Sequence, residues 1–184
     1  MNTAFNQTSF GVFTRVKVDL TYEAIVSTPL SAADIAVGEV ASAVLNGLLT
    51  STGFLAAAAA MELVISPGIL LAIPAAALVA FAFAAGGLAV TTFLRGFPDF
   101  ELIQLVMLPM YLFATTFYPL STYPGRLRPV IEALPLYQSI KLIRGPALGS
   151  FDLPALAFAT CYLAGFGAAG MIIATRRLQK LLMK

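Results

Sequence analysis

The sequence predicts an all-α integral membrane protein, a polytopic bundle in which four helices cross a bilayer. Two observations carry this. Four uncharged, mostly apolar stretches lie between Glu39 and Glu62, Glu62 and Arg95, Glu101 and Arg126, and Asp152 and Arg176. Each is long enough to cross a hydrocarbon core, which takes about 20 apolar residues at about 1.5 Å rise. The second observation is composition: 59% of the 184 residues are hydrophobic and 11% charged. A soluble domain would set charge along one face of nearly every helix, and these stretches set none. One membrane domain, 1–184, accounts for the chain.

The same numbers narrow the chemistry. A net charge of +2 suggests no nucleic-acid partner. Histidine is absent, which removes His-based acid–base catalysis and the commonest metal ligand. Cys161 is alone, so no disulfide forms within the chain, and it reads as a small buried apolar residue. No G-x-x-x-x-G-K-[ST] phosphate loop occurs, so ATP is not bound that way. Ser139 and Lys141, two apart on a helix, point to different faces. No span carries a central Asp, Glu, Lys or Arg, groups that ion-driven carriers use. Met1 to Ser9 lacks a basic region and a continuous apolar run, so it is not a secretory signal.

In chain order, 1–13 is too short and polar to span. Residues 14–36 form a charged amphipathic segment in which Val16, Leu20 and Ala24 recur every four residues. Thr28-Pro29-Leu30 breaks that helix, because Pro disfavours helix at the residue before it. Ser31 and Asp34 then stand at capping-box spacing. The first span, 37–61, carries Ala43, Gly47 and Ser51 on one small face, where membrane helices approach closely. Its single amide, Asn46, is expected to bond a neighbouring helix. The second span, 69–94, has Pro74 in its first turn and Gly86-Gly87 as a close-approach point. The third, 100–120, is kinked at Pro109. Residues 121–152 are apolar, follow Pro119, and are broken by Pro124, Pro129, Pro135 and Pro146. They read as two short re-entrant helices, backbone that a membrane tolerates only under protein cover or along a wet cavity. The last span, 153–175, carries Ala164, Gly165, Ala168 and Ala169 as its small face.

Basic residues mark the cytoplasmic side. Arg176, Arg177, Lys180 and Lys184 place the C-terminus inside. Counting back through four spans puts Arg15, Lys17 and Arg95 inside too. Arg126, Arg128, Lys141 and Arg144 fall outside, where interfacial anchoring is the expected role.

Two groups of blocks resemble the ABC-2-type permeases, the membrane subunits of ATP-driven drug and lipo-oligosaccharide exporters. The first is Phe10-Gly11-Val12-Phe13, Arg15, Lys17, Thr21 to Ile25, Thr28 to Ser31 and Gly38-Glu39. The second is Phe117 to Ser121, Tyr123-Pro124, Leu134 to Tyr137, Ile143 to Gly145 and Leu148-Gly149. The resemblance implies that 14–36 is a cytoplasmic coupling helix docking on an ATPase subunit, through Arg15, Lys17, Tyr22, Glu23, Thr28, Pro29 and Leu30. It implies that the re-entrant extracellular pair caps the path, shaped by Pro119, Pro135, Tyr137, Arg144 and Gly145. Helix packing falls to Ala43, Gly47, Ser51, Gly165 and Ala169. No cofactor is expected in this chain; ATP and Mg would bind the partner ATPase. A second permease copy, identical or a paralogue, membrane lipid and an amphipathic cargo complete the partners, in a bacterial-type inner membrane. The family has six spans behind a cytoplasmic amphipathic helix. Here that helix and the first span are missing, and 1–13 reads as the tail of the second. The alternatives are a non-transporting membrane assembly protein and a non-functional permease fragment.

Overall fold

A computed structural model of the chain describes residues 2–17, 31–61, 70–94, 96, 98–115, 120–147, 149 and 152–182. Among them there is helix and turn but no strand. The first helical run is α1 (Asn2–Asn6), a π-turn at Gln7–Gly11 and α2 (Val12–Lys17). Next come α3 (Ala32–Ala60), α4 (Ala72–Thr91) and α5 (Pro98–Phe113). A 3-10 turn at Leu120–Thr122 leads to α6 (Arg128–Glu132), α7 (Pro135–Ala147) and α8 (Leu153–Leu182).

Among the described residues, three helices are long and apolar enough to cross a membrane: Ala32–Ala60, Ala72–Thr91 and the Leu153–Lys180 part of α8. The chain is therefore a multi-pass membrane protein. Within the expected third span, 100–120, the structure describes the 16-residue helix α5. That is about 24 Å of helix, short of a hydrocarbon core of about 30 Å. After it the chain turns at Ala114–Thr115, and Thr115 takes a left-handed φ of 60°, a conformation that a β-branched residue rarely adopts.

Helix starts follow local chemistry. Ser31 Oγ accepts from the Asp34 N–H (3.3 Å) and Asp34 Oδ2 accepts from the Ser31 N–H (2.9 Å), closing the capping box of α3. Pro74 falls in the first turn of α4, where its missing N–H has no helical acceptor to lose. Pro135 opens α7 for the same reason.

The core centres on α4. Ala80, Ala82, Phe83, Ala84, Ala85 and Leu88 are all at most 2% exposed. Helix α8 runs parallel to it: Gly167 sits at Phe81 and Ala82, Gly170 at Ala85 and Gly86, and Arg177 over Phe93. Helix α3 runs antiparallel. Gly47 meets Ala80, while Ile35, Ala36 and Val40 join Ala84, Leu88 and Leu178 in one cluster. The first helical run lies along the C-terminal half of α4, with Phe5, Thr8 and Ser9 around Gly87. Its Val12 is buried with Ile35, Leu88 and Leu178. The C-terminal ends of α2, α4 and α8 and the start of α3 thus share one end of the bundle. That end holds Arg176, Arg177 and Lys180 of α8 and the backbone positions of Arg15 and Lys17.

Small residues fix these crossings. A Cβ on Gly170 would lie 2.9 Å from the Ala85 carbonyl carbon and oxygen and 3.0 Å from Gly86 N. Only glycine admits backbone so near, and packing rather than hydrophobicity holds helices together in lipid. The expected small face of α8 needs correction. Gly165 and Ala169 are exposed, and nothing lies within 4 Å of a Cβ on Gly165. Inside the chain the contact runs along Leu163, Gly167, Gly170, Ala174 and Leu178. Cys161, expected to be buried, is exposed on the other face. In α3, Ala43 is fully buried, Gly47 touches Ala80 and Ser51 is half-buried.

Candidate functional site

Two regions hold the residues that the sequence singles out as candidates, and the first is the basic end. Lys17 closes α2 and Ser31 caps α3, so both residues bracketing 18–30 lie there. Arg15 and Lys17 are helical. Tyr22, Glu23, Thr28, Pro29 and Leu30 lie outside the described residues.

The helix leading to this end is anchored by hydrogen bonds. Its π-turn inserts an extra residue, which leaves backbone carbonyls without regular helical donors. In lipid such groups must be satisfied inside the protein. The Thr91 hydroxyl does this: its one proton is within reach of Gly87 O (2.8 Å), Ser9 O (3.2 Å) and Thr8 O (3.3 Å). Ser9 Oγ in turn donates to Gly87 O at 3.4 Å. The crossing closes on Gly87, where a Cβ would stand 2.6 Å from Thr8 Oγ1 and 3.0 Å from Phe5 O. Gly86-Gly87 is legible in the sequence as a close approach; the threonines and serine that line it are not. Their signal is Thr8 and Ser9 together in a segment otherwise read as too polar to span.

Beside this crossing, the Asn46 amide donates to Gln7 Oε1 (3.0 Å) and Gln7 Nε2 donates to Ser42 Oγ (2.9 Å). Asn46 is therefore satisfied by a neighbouring helix, as its place in an apolar span suggests.

The second region is the broken segment before α8. Two short helices stand where two were expected. Helix α7 packs antiparallel against the first half of α8, with Leu136 and Leu142 buried beside Ala159 and Leu163. The α6–α7 corner is pinned from α8, since Tyr162 Oη donates to Ala133 O at 2.6 Å. Gln138 Nε2 donates to Glu132 O at 2.6 Å, closing the same corner. On the α5 side, Tyr123 Oη donates to Leu112 O (3.3 Å) and Arg128 Nε to Tyr123 O (3.2 Å). Pro135 opens α7, Tyr137 is half-buried, Arg144 is exposed and Gly145 sits in the last turn. Pro119 lies outside the described residues. Burial, then the Glu132 carboxylate, pushes the Tyr137 phenol above its ordinary value. Sequence reasoning missed Tyr162 and Gln138, whose hydrogen bonds close this corner.

Comparison with known proteins bears on both regions. A family model described as ABC-2 type transporter matches residues 1–148. Nodulation protein J of Rhizobium meliloti (strain 1021) is 30% identical over 145 residues, 78% of this chain and 55% of that protein. Nodulation protein J of Rhizobium leguminosarum bv. viciae is 30% identical over 150 residues, 81% of this chain and 58% of the relative. The same-named protein of Sinorhizobium fredii (strain NBRC 101917 / NGR234) is 32% identical over 149 residues, 80% and 56% respectively. The chain thus spans little more than half the length of these relatives. No solved structure matches.

Proposed function

The chain belongs to the ABC-2 type transporter family, and from that premise we propose that it is the permease subunit of an ATP-driven exporter of amphipathic cargo. It supplies the membrane path and no covalent chemistry. A separate ATPase subunit binds ATP and Mg, and a second permease copy faces this one across the path. The observation that carries the reading is the family match over 1–148. The shared location of Lys17 and Ser31 at the basic end supports it, because the segment between them then starts and ends where an ATPase would dock. Basic residues favour the cytoplasm, so this end faces inward in a bacterial-type inner membrane.

In this reading 18–30 and its flanking Arg15 and Lys17 take the push of the ATPase. The hydrogen-bonded run 2–17 passes that push to α4 at Gly87 and Thr91. A motor that contacts the two permease conformations unequally shifts their populations. The four-crossing topology, with α6 and α7 re-entrant from the outer side, completes the path: α5 makes the third crossing and the proline-broken pair caps it. Lipid, drug or lipid-linked oligosaccharide fits as cargo, with no nucleic acid involved.

The test is co-purification. Affinity-tagged full chain, drawn from its native membranes in mild detergent, should bring down a protein that is photolabelled by azido-ATP. Glu23→Ala and Pro29→Gly should each abolish that association while the helical circular-dichroism signal stays unchanged. Association that survives both substitutions overturns the coupling assignment.

A further inference from the structure

Between α5 and α4 lies a cavity of about 370 Å³ into which no polar atom projects. Along α5 it reaches from Leu102 to Met110, eight residues and so about 12 Å. Along α4 it reaches from Val90 to Phe83, and Phe166 of α8 closes one side. Its mouth is lateral. Leu102 and Val106 line the cavity yet are 62% and 69% exposed. In a bilayer, hydrocarbon stands outside such a mouth. A dry, apolar void gains contacts only from an apolar guest.

One end of this slot is not apolar. The Phe93 N–H donates to Val90 O at 2.9 Å, which puts Phe93 one turn beyond the slot. The Arg177 guanidinium lies 3.9 Å over the Phe93 ring and is exposed. It sits at the basic end with Arg176 and Lys180. A long apolar slot open to hydrocarbon, with a cation one turn past its end, matches an amphiphile with one acyl chain inside and an anionic headgroup at Arg177. We propose that this is a site for an anionic glycerophospholipid of the leaflet at the basic end. Its acyl chain fills the slot toward Met110 and its phosphate pairs with Arg177. Basic pockets between membrane helices bind anionic headgroups in this way. The site does not depend on the permease reading, because a resident lipid needs neither motor nor transport.

The test uses the full chain in phosphatidylcholine nanodiscs carrying a trace of spin-labelled phosphatidylglycerol or spin-labelled phosphatidylcholine. Wild-type protein should immobilise one labelled chain per polypeptide and prefer phosphatidylglycerol by about fivefold. Arg177→Gln should keep the immobilised chain and lose the preference. Val106→Trp, which plugs the mouth, should remove the immobilised signal for both lipids. Leu105→Trp, equally exposed but outside the slot, should leave it intact. If Val106→Trp disturbs the helical melt, Met110→Phe replaces it: it should release a label deep in the chain and hold one near the headgroup. Three results would overturn the site. One is equal behaviour of the slot and control variants, and another is an unaltered lipid preference in Arg177→Gln. The third is displacement of the label by a phosphate-free acylated sugar at equal concentration, which would make the occupant cargo.

Discussion

Helix α4 meets two of its neighbours, α8 and α5, in opposite ways. Against α8 the backbones touch, with Gly167 and Gly170 set on Phe81, Ala82, Ala85 and Gly86. Against α5 the backbones stand apart and leave the 370 Å³ slot. Composition explains the contrast. Helix α8 offers Gly and Ala throughout its span, whereas α5 has neither between Pro98 and Phe113. Its Leu, Ile, Val and Met side chains hold the helices apart and fill the gap incompletely. In lipid, where apolar surface is not driven out of solvent, the first kind of seam is fixed and the second is free to admit a guest or to move.

That contrast can be broken at measured positions, with stability read as the midpoint of SDS unfolding of the detergent-solubilised chain. Gly170→Ala should have the largest effect, about 2–3 kcal/mol of destabilisation, because its new methyl meets backbone that cannot turn aside. Tyr162→Phe should cost about 1 kcal/mol by leaving the Ala133 carbonyl without its donor. It should also speed hydrogen exchange at the α6–α7 corner and nowhere else. Thr91→Val should cost about 0.6 kcal/mol, the typical worth of an interhelical hydrogen bond in a membrane. Gly165→Ala should fall within about 0.5 kcal/mol of wild type, since the position is open. Should it cost as much as Gly170→Ala, the assignment of the α8 faces is wrong.

Much of this was legible beforehand. Three apolar runs became long helices near their expected bounds, and Ser31 with Asp34 marked a start correctly. The break expected at Pro135 falls between α6 and α7, and in α3 Ala43 is buried and Gly47 lies against Ala80. The face of α8 was not legible from small residues alone, because two adjacent stripes of them occur. Extending each stripe separates them: Gly165 and Ala169 continue to Ile172 and Arg176, while Gly167 and Gly170 continue to Ala174 and Leu178. Only the second stays apolar to its end, and it is the buried one. The end of the helix in the third span was not legible for a different reason. Apolarity continues past Phe113, but helix does not, and hydropathy reports the first of these only.

Local sequence was enough to put this chain in a membrane, to mark the start of α3 and to make one end basic. Those properties follow from local composition, capping chemistry and the cost of placing charge in hydrocarbon. Tertiary structure alone decided which glycines touch, which hydroxyls satisfy the π-turn, and where α4 is left uncovered. Such contacts join residues about 80 positions apart, as Thr8 and Thr91 are, and no local pattern records which distant backbone will arrive.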